Sequence, residues 1–452
     1  LQLGNGGGGD VHIVSESVDI SGFGVSGTRG ALASWTGTNS WGGGVNVVAD
    51  SSVFVNTGSL AINGVISGAS NLSKVGGGSL TLGGAASNTL SGTLILDNGV
   101  TFFDKTGGAF AATGNVQMGA GNGNQPHLRM LQNEQFGPGV VMSFANVSGA
   151  WGRFDLQGTT QTLAGLNAGT VATQAGAVVQ NERFGGGGTA ADGTLTLNGS
   201  GSYLYHGYVR DEDDGGHTFK LNLVKSGTGD QTIVGPNVTY TGTTTVNDGT
   251  LTLQTTGVLT GAQTVNGGTL RWVNENNGGG SSKITGVTTV NAPGTLEVDS
   301  TIPFTTRWNH NALITGDGTL NKVGTGVFGI NGPIAMSGQI NVLEGRLHND
   351  NVTGNWTGNT ADMFVAAGAV LDLRANDIYV DALDGPAGAE IWNSHTAGGG
   401  DTLYIGVANG SGNFAGVIGG TNTGANDTPN AATTHVVKRG TGSQNLSGAN
   451  IY

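Results

Sequence analysis

Cysteine is absent from the 452 residues. That excludes disulfides, thiolate zinc sites and thiol chemistry. It leaves the compartment open, although a cysteine-free acidic chain suits export in an unfolded form. Positive charge is scarce, with 17 Lys and Arg against 30 Asp and Glu and a net charge of −13. No basic run occurs, which argues against nucleic acid as a partner, because phosphate contacts need clustered Lys and Arg. Charged residues make up 10% and prolines number 8, so the chain is neither highly charged in the manner of disordered segments nor Pro-rich. No apolar run reaches the roughly 18 residues that a membrane-spanning helix needs, and no amphipathic helix of three or more turns stands out. The chain opens at Leu1 without Met or a basic and apolar leader, which reads as a processed or trimmed product.

Glycine fills much of the gap, at 87 residues against a usual share of about 7%. Thr, Ser, Asn, Val and Leu supply most of the rest, a composition suited to many short strands joined by polar turns. One pattern recurs four times: apolar, any, Lys, any, Gly, any, Gly. It occupies Leu72 to Gly78, Leu223 to Gly229, Leu320 to Gly326 and Val436 to Gly442, with the lysines at Lys74, Lys225, Lys322 and Lys438. Eight residues after each Lys sits Leu82, Ile233, Ile330 or Leu446, and ten after it Gly84, Gly235, Gly332 or Gly448. The first three copies continue through Ser91-Gly92, Thr241-Gly242 or Ser337-Gly338 into a second strand. That strand carries Leu96, Val246 or Val342 and ends at Gly99, Gly249 or Gly345.

The unit is therefore strand, Gly turn, strand, Gly turn. Alternation such as Leu80-Thr81-Leu82 turns one face inward, and glycine supplies corners that other residues resist. Such strands are stable only when stacked rung on rung. Gly-x-Leu elements recur at Leu60, Leu94, Leu195, Leu251, Leu270, Leu296 and Leu320, and from Leu251 the steps are 19, 26 and 24 residues. Each step is about one coil of a three-sided β-helix. The expected fold is all-β, a right-handed parallel β-helix of roughly 20 coils with loop insertions, taking about 22 residues per coil.

These motifs resemble the autotransporter-associated β-strand repeat, also called the passenger-associated transport repeat. The nearest stretches are Leu223 to Leu253 (LVKSGTGDQTIVGPNVTYTGTTTVNDGTLTL) and Val436 to Tyr452 (VVKRGTGSQNLSGANIY). The resemblance implies a bacterial surface or secreted protein with a β-helical passenger serving adhesion, surface layers or scaffolding. It brings no catalytic residues, and the chain departs from the family in showing no C-terminal outer-membrane barrel. The expected organisation is N-terminal coils over 1–71, repeat modules over 72–220, 221–319 and 320–435, and the start of a further repeat over 436–452. Both ends break inside a repeat, which fits a fragment of a longer array or a subunit that polymerises head to tail with itself.

Residues that might carry chemistry are few. Arg210-Asp211-Glu212-Asp213-Asp214-Gly215-Gly216-His217 is the densest polar cluster. Asp211, Asp213 and Asp214 are candidate Ca²⁺ ligands, but successive side chains of an extended run alternate in direction, so a solvated turn is the simpler reading. No other cofactor is expected. Asn5 to Asp10 is one imperfect Gly-Asp turn, and Gly185 to Gly188 and Gly398 to Gly400 read as loops. The eight His read as lone solvated residues. The seven Trp read as core or end-coil packing before sugar platforms. The repeat lysines, stacked at a coil corner, would fix register. Three functions follow: a structural or adhesive surface solenoid, favoured and not an enzyme; a glycan-degrading enzyme, which needs acids and Arg converging across neighbouring coils; or a binder of surface glycans.

Overall fold

A computed structural model describes the chain apart from residues 5–8, 26–28, 146–150, 170–175, 183–190, 213–217, 275–279, 304–307, 350–353, 375, 395–400 and 420–433. Asp213, Asp214, His217, Gly185 to Gly188 and Gly398 to Gly400 therefore lie outside the described residues, as do 5–8 of the Asn5–Asp10 segment. Among the described residues there are 49 β-strands and no α-helix. Leu1–Gly242 and Thr243–Tyr452 are two compact units, and each is built of short parallel strands stacked coil upon coil.

In the first unit a 9-stranded sheet runs from His12–Ile13 to Tyr208–Arg210. In the second a 7-stranded sheet runs from Gly280–Ser281 to Val417–Ile418. Alternation places the core. The strand Thr295–Ser300 buries every second side chain, and Leu251, Leu270, Leu296, Leu320 and Ile340 lie in register as one column with no solvent exposure. The Gly-x-Leu spacing thus marks one coil per step. The fold is a β-solenoid of about 15 turns rather than the roughly 20 expected. Coil length is uneven: 19 residues separate Leu251 from Leu270, but 30 separate Gln180 from Arg210, because loops leave the corners.

The repeat glycines stand at those corners for two different reasons. Gly99, Gly249 and Gly345, at one place in the repeat, have φ of 69°, 61° and 62°, a left-handed turn that a Cβ opposes. Gly242 has no such dihedral. A Cβ there would come within 2.0 Å of the Leu221 carbonyl oxygen on the coil before, so it is kept small by stacking.

Three of the four repeat lysines, Lys74, Lys225 and Lys322, are buried, while Lys438 is exposed. Lys74 sits in an apolar column between Val53 and Leu96, and Lys322 between Val298 and Val342. They do not stack on one another, as the sequence suggested; each is alone among apolar neighbours. Lys74 Nζ donates to the carbonyl oxygens of Gly76, Gly78 and Asn98 at 2.6, 2.7 and 2.7 Å. Lys322 Nζ donates to those of Val323, Gly324 and Glu344 at 2.7, 2.7 and 3.1 Å, and Lys225 Nζ to that of Gly227. The ammonium thus satisfies carbonyls where the Gly corner leaves the ladder, which is what lets a charged end enter the core. Burial pushes Lys74 down to about 7 against the pull of Asp97. It pushes Lys322 down to about 8 against Asp299 and Glu344.

One expectation about side chains changes. His310 and His348 are fully buried rather than solvated; His310 falls on an inward-facing strand position, whereas His348 stands in register with Gly329 and Asp372, beside the inward column of Phe328, Leu347 and Leu371. Trp41, Trp272, Trp308 and Trp356 are core residues. Trp35, Trp151 and Trp392 are half-buried, and each carries an arginine over its ring, from Arg29, Arg153 and Arg346 at 5.0, 5.8 and 4.7 Å.

Candidate functional site

The strands His127–Met130, Gly152–Asp155, Ala177–Gln180 and Tyr208–Arg210 are four successive rungs of one sheet in the first unit. Leu128, Phe154, Val179 and Val209 form their inward column. Period-two alternation then turns the intervening residues outward. Arg129, Asp155, Gln180 and Arg210 lie in register as one outer column. His127, Arg153, Val178 and Tyr208 form the column beside it.

The site has a buried floor and a half-exposed rim. Asp155, Val178, Gln180 and Glu182 are buried, while His127, Arg129, Arg153, Tyr208 and Arg210 are partly exposed. Gln180 is the hub. Its Nε2 donates to Asp155 Oδ1 at 2.6 Å and to Glu182 Oε2 at 2.5 Å, and its Oε1 accepts from Arg210 Nε at 3.0 Å. Arg129 Nε lies 3.7 Å and His127 Nδ1 4.0 Å from Asp155 Oδ2. Aromatic rings frame the rim. Trp151 and Tyr208 are 5.3 Å apart, and Arg153 and Arg210 lie over them at 5.8 and 5.2 Å.

Burial pushes the Asp155 carboxyl up to about 7; Glu182 adds to the rise, while the Gln180 hydrogen bond, Arg129 and Arg153 oppose it. Burial, then Arg153 and Arg129, hold His127 near 4, which keeps it neutral at physiological pH. The cluster sets three guanidiniums beside two buried carboxylates, Asp155 and Glu182, and Asp211 and Glu212 follow Arg210 directly.

The acid loop begins where this cluster ends. Asp211 is spent on the backbone: its carboxylate accepts from Leu221 N–H at 2.8 Å, from Thr241 N–H at 3.1 Å and from the Thr241 hydroxyl at 2.7 Å. It ties three segments of the coil together. A cleft of about 420 Å³ opens beside it, lined by Arg210, Asp211, Phe219, Lys220 and Thr241 among others. Of the candidate Ca²⁺ ligands only Asp211 falls among the described residues, and no group of three or more metal-ligating side chains occurs among them.

The convergence of Arg and acids across coils gave no sign in the sequence. Asp155, Gln180 and Arg210 are 25 and 30 residues apart, and no motif contains them. The one available signal is that each occupies an outward strand position about one coil from the next.

Short parallel strands, glycine corners and inward lysines define a β-solenoid of repeated coils. Residues 223–253 match the passenger-associated-transport-repeat family model. A β-solenoid that carries this repeat fits an autotransporter passenger. No match was found among the curated proteins or among the solved structures.

Proposed function

We propose that this solenoid is a non-enzymatic structural and adhesive module of a secreted or surface-exposed passenger. The observation that supports the reading most is where the repeat spends its polar groups. Lys74, Lys225 and Lys322 turn onto carbonyls of their own corners, so the recurring unit builds coils. The acids that do converge are a poor fit to hydrolysis. Asp155 and Glu182 are 0% and 4% exposed, and a general acid or base must reach the bond it acts on.

The pure protein assayed on pectins, alginates and glucans, with and without Ca²⁺, is expected to give no cleavage. Specific cleavage that disappears in Asp213→Ala or Asp155→Asn would overturn the reading. In the producing bacterium, protease treatment of intact cells should release solenoid fragments, and a chain found only inside the cell would count equally against it.

A further inference from the structure

We propose that the Asn98-Gly99 corner is a site of spontaneous covalent modification, where the Gly99 nitrogen closes a cyclic imide on the Asn98 side chain and water reopens it to aspartate or isoaspartate. The inference goes beyond the structural role and does not depend on it. It rests on where one N–H points. Gly99 N–H donates to Oδ1 of Asn98, its own predecessor, at 2.8 Å, a local bond that Asn side chains form readily. Cγ is one bond from that oxygen. The electrophilic carbon of the side-chain amide therefore stands beside the backbone nitrogen that can reach it through a five-membered ring. Gly99 has no Cβ to crowd the approach, and Asn98 and Gly99 are half-buried, so water has access. Other Asn-Gly pairs hold these groups apart. Gly199 N–H donates to the Ala164 carbonyl at 2.9 Å, and Gly332 N–H to the His310 carbonyl at 2.9 Å. Gly410 N–H donates to Asp381 Oδ1 at 2.7 Å. In each of these the stacked coil before takes the nitrogen. Asn122 instead turns its Oδ1 onto Asn124 N–H, two residues on, at 3.2 Å.

The atoms balance with water alone. The Gly99 nitrogen gives its proton to solvent and bonds to Asn98 Cγ. The Cγ–Nδ2 bond breaks, and Nδ2 takes up a proton and leaves as ammonia. Water then adds to either imide carbonyl. Opening between the nitrogen and Cγ leaves aspartate. Opening between the nitrogen and the main-chain carbonyl carbon leaves isoaspartate, with the chain rerouted through Cβ and Cγ and one atom longer. The place matters, because Lys74 Nζ donates to the Asn98 carbonyl oxygen at 2.7 Å. In isoaspartate that oxygen belongs to a free carboxylate, so the buried ammonium gains a charged partner. The turn at Gly99, with φ of 69°, then has to take up the added atom. The second repeat copy supplies an internal comparison. Gly249 N–H donates to Asp248 Oδ1 at 2.7 Å, the same bond at the same place in the repeat, but an ionised carboxylate resists attack and reacts more slowly. In the third copy Glu344 stands there, and its extra methylene denies the five-membered ring.

The test is ageing of the folded full chain at pH 8 and 37 °C, followed by peptide mapping with electron-transfer fragmentation, which tells isoaspartate from aspartate. The expected result is loss of Asn98 at least tenfold faster than of Asn198, Asn331 or Asn409, with ammonia released and isoaspartate among the products at position 98. The same chain aged in guanidinium chloride, where the coils no longer hold any Asn-Gly pair, should lose that preference. Asn98→Gln keeps the amide but not the ring size, and should stay unmodified at that position, with a circular dichroism melt to check that it folds. Should the variant not fold, the wild-type rates in and out of denaturant carry the same reading. Equal rates at the four pairs in the folded chain, the same preference in denaturant, or aspartate without isoaspartate would overturn the inference.

Discussion

A buried lysine needs as many acceptors as it has protons, and Lys74 has three carbonyl oxygens within 2.7 Å. Only the ammonium donates to all three. Lys322→Met leaves its carbonyls without that donor, at about 1–3 kcal/mol for each buried polar group left unpaired, partly offset by removing a buried charge. Urea denaturation should show a net loss of about 2 kcal/mol, and an unchanged midpoint would refute the role. Titration gives a second reading. Burial holds folded Lys74 near 7 against an ordinary 10.5. Between those values the unfolded chain keeps a proton that the folded chain has released. Stability relative to Lys74→Met therefore rises with pH across that window, by at most about 1.4 kcal/mol per pH unit. A flat difference from pH 7 to 10 would exclude the shift.

His310 behaves in the same sense as Lys74, in a lower pH window. It is fully buried beside Trp272 and Phe328, with ring centroids 5.2 and 6.3 Å away, and neither ring nitrogen has a hydrogen-bond partner. Burial lowers it from 6.5 to about 4. As pH falls through that interval the unfolded chain gains a proton and the folded chain does not, so stability drops by up to about 3 kcal/mol. Chemical denaturation of wild type and His310→Phe at pH 7.5 and 4.5 should show a larger drop in wild type, since His127 contributes its own loss to both, and equal drops would disprove it.

Among elements, the corner decides more than the strand. Gly249 and Gly242 look alike in the repeat but are glycine for different causes. Gly249→Ala forces a Cβ into a left-handed turn with φ of 61°, a strain of about 1–2 kcal/mol. Gly242→Ala brings Cβ to 2.0 Å from a backbone oxygen of the previous coil, so the coil spacing itself must open, and the cost is expected to exceed that of Gly249→Ala. The order is read from the two thermal midpoints, and the reverse order would show that dihedral strain dominates. Both changes should leave strand content intact, because alternation within strands such as Leu221–Lys225 is untouched.

For the whole chain, composition and topology agree on an all-β protein. Far-ultraviolet circular dichroism should show well under a fifth helix, against about a third in average globular proteins; a clear helical spectrum would contradict the stacked coils. The turn count shows how insertions act at this scale. Each loop that leaves a corner lengthens one coil and keeps its register, so residues are spent without adding a rung, and about 15 turns result.

The sequence by itself determined the strand-corner-strand unit, because apolar alternation and positive-φ glycine are local demands of the backbone that recur with the repeat. It determined the column Leu251, Leu270, Leu296, Leu320 as well, since each member follows the same Gly-Thr turn. It marked the repeat lysines as a group, but the inward direction of three of them and their carbonyl cages appear only once neighbouring coils are stacked. The burial of His310 depends on which side of its strand faces the core. The cluster of Arg129, Arg153, Asp155, Gln180, Glu182 and Arg210 was settled by tertiary structure alone. Its members come from coils of unequal length, and their meeting depends on a register that summed loop lengths set and no local pattern records.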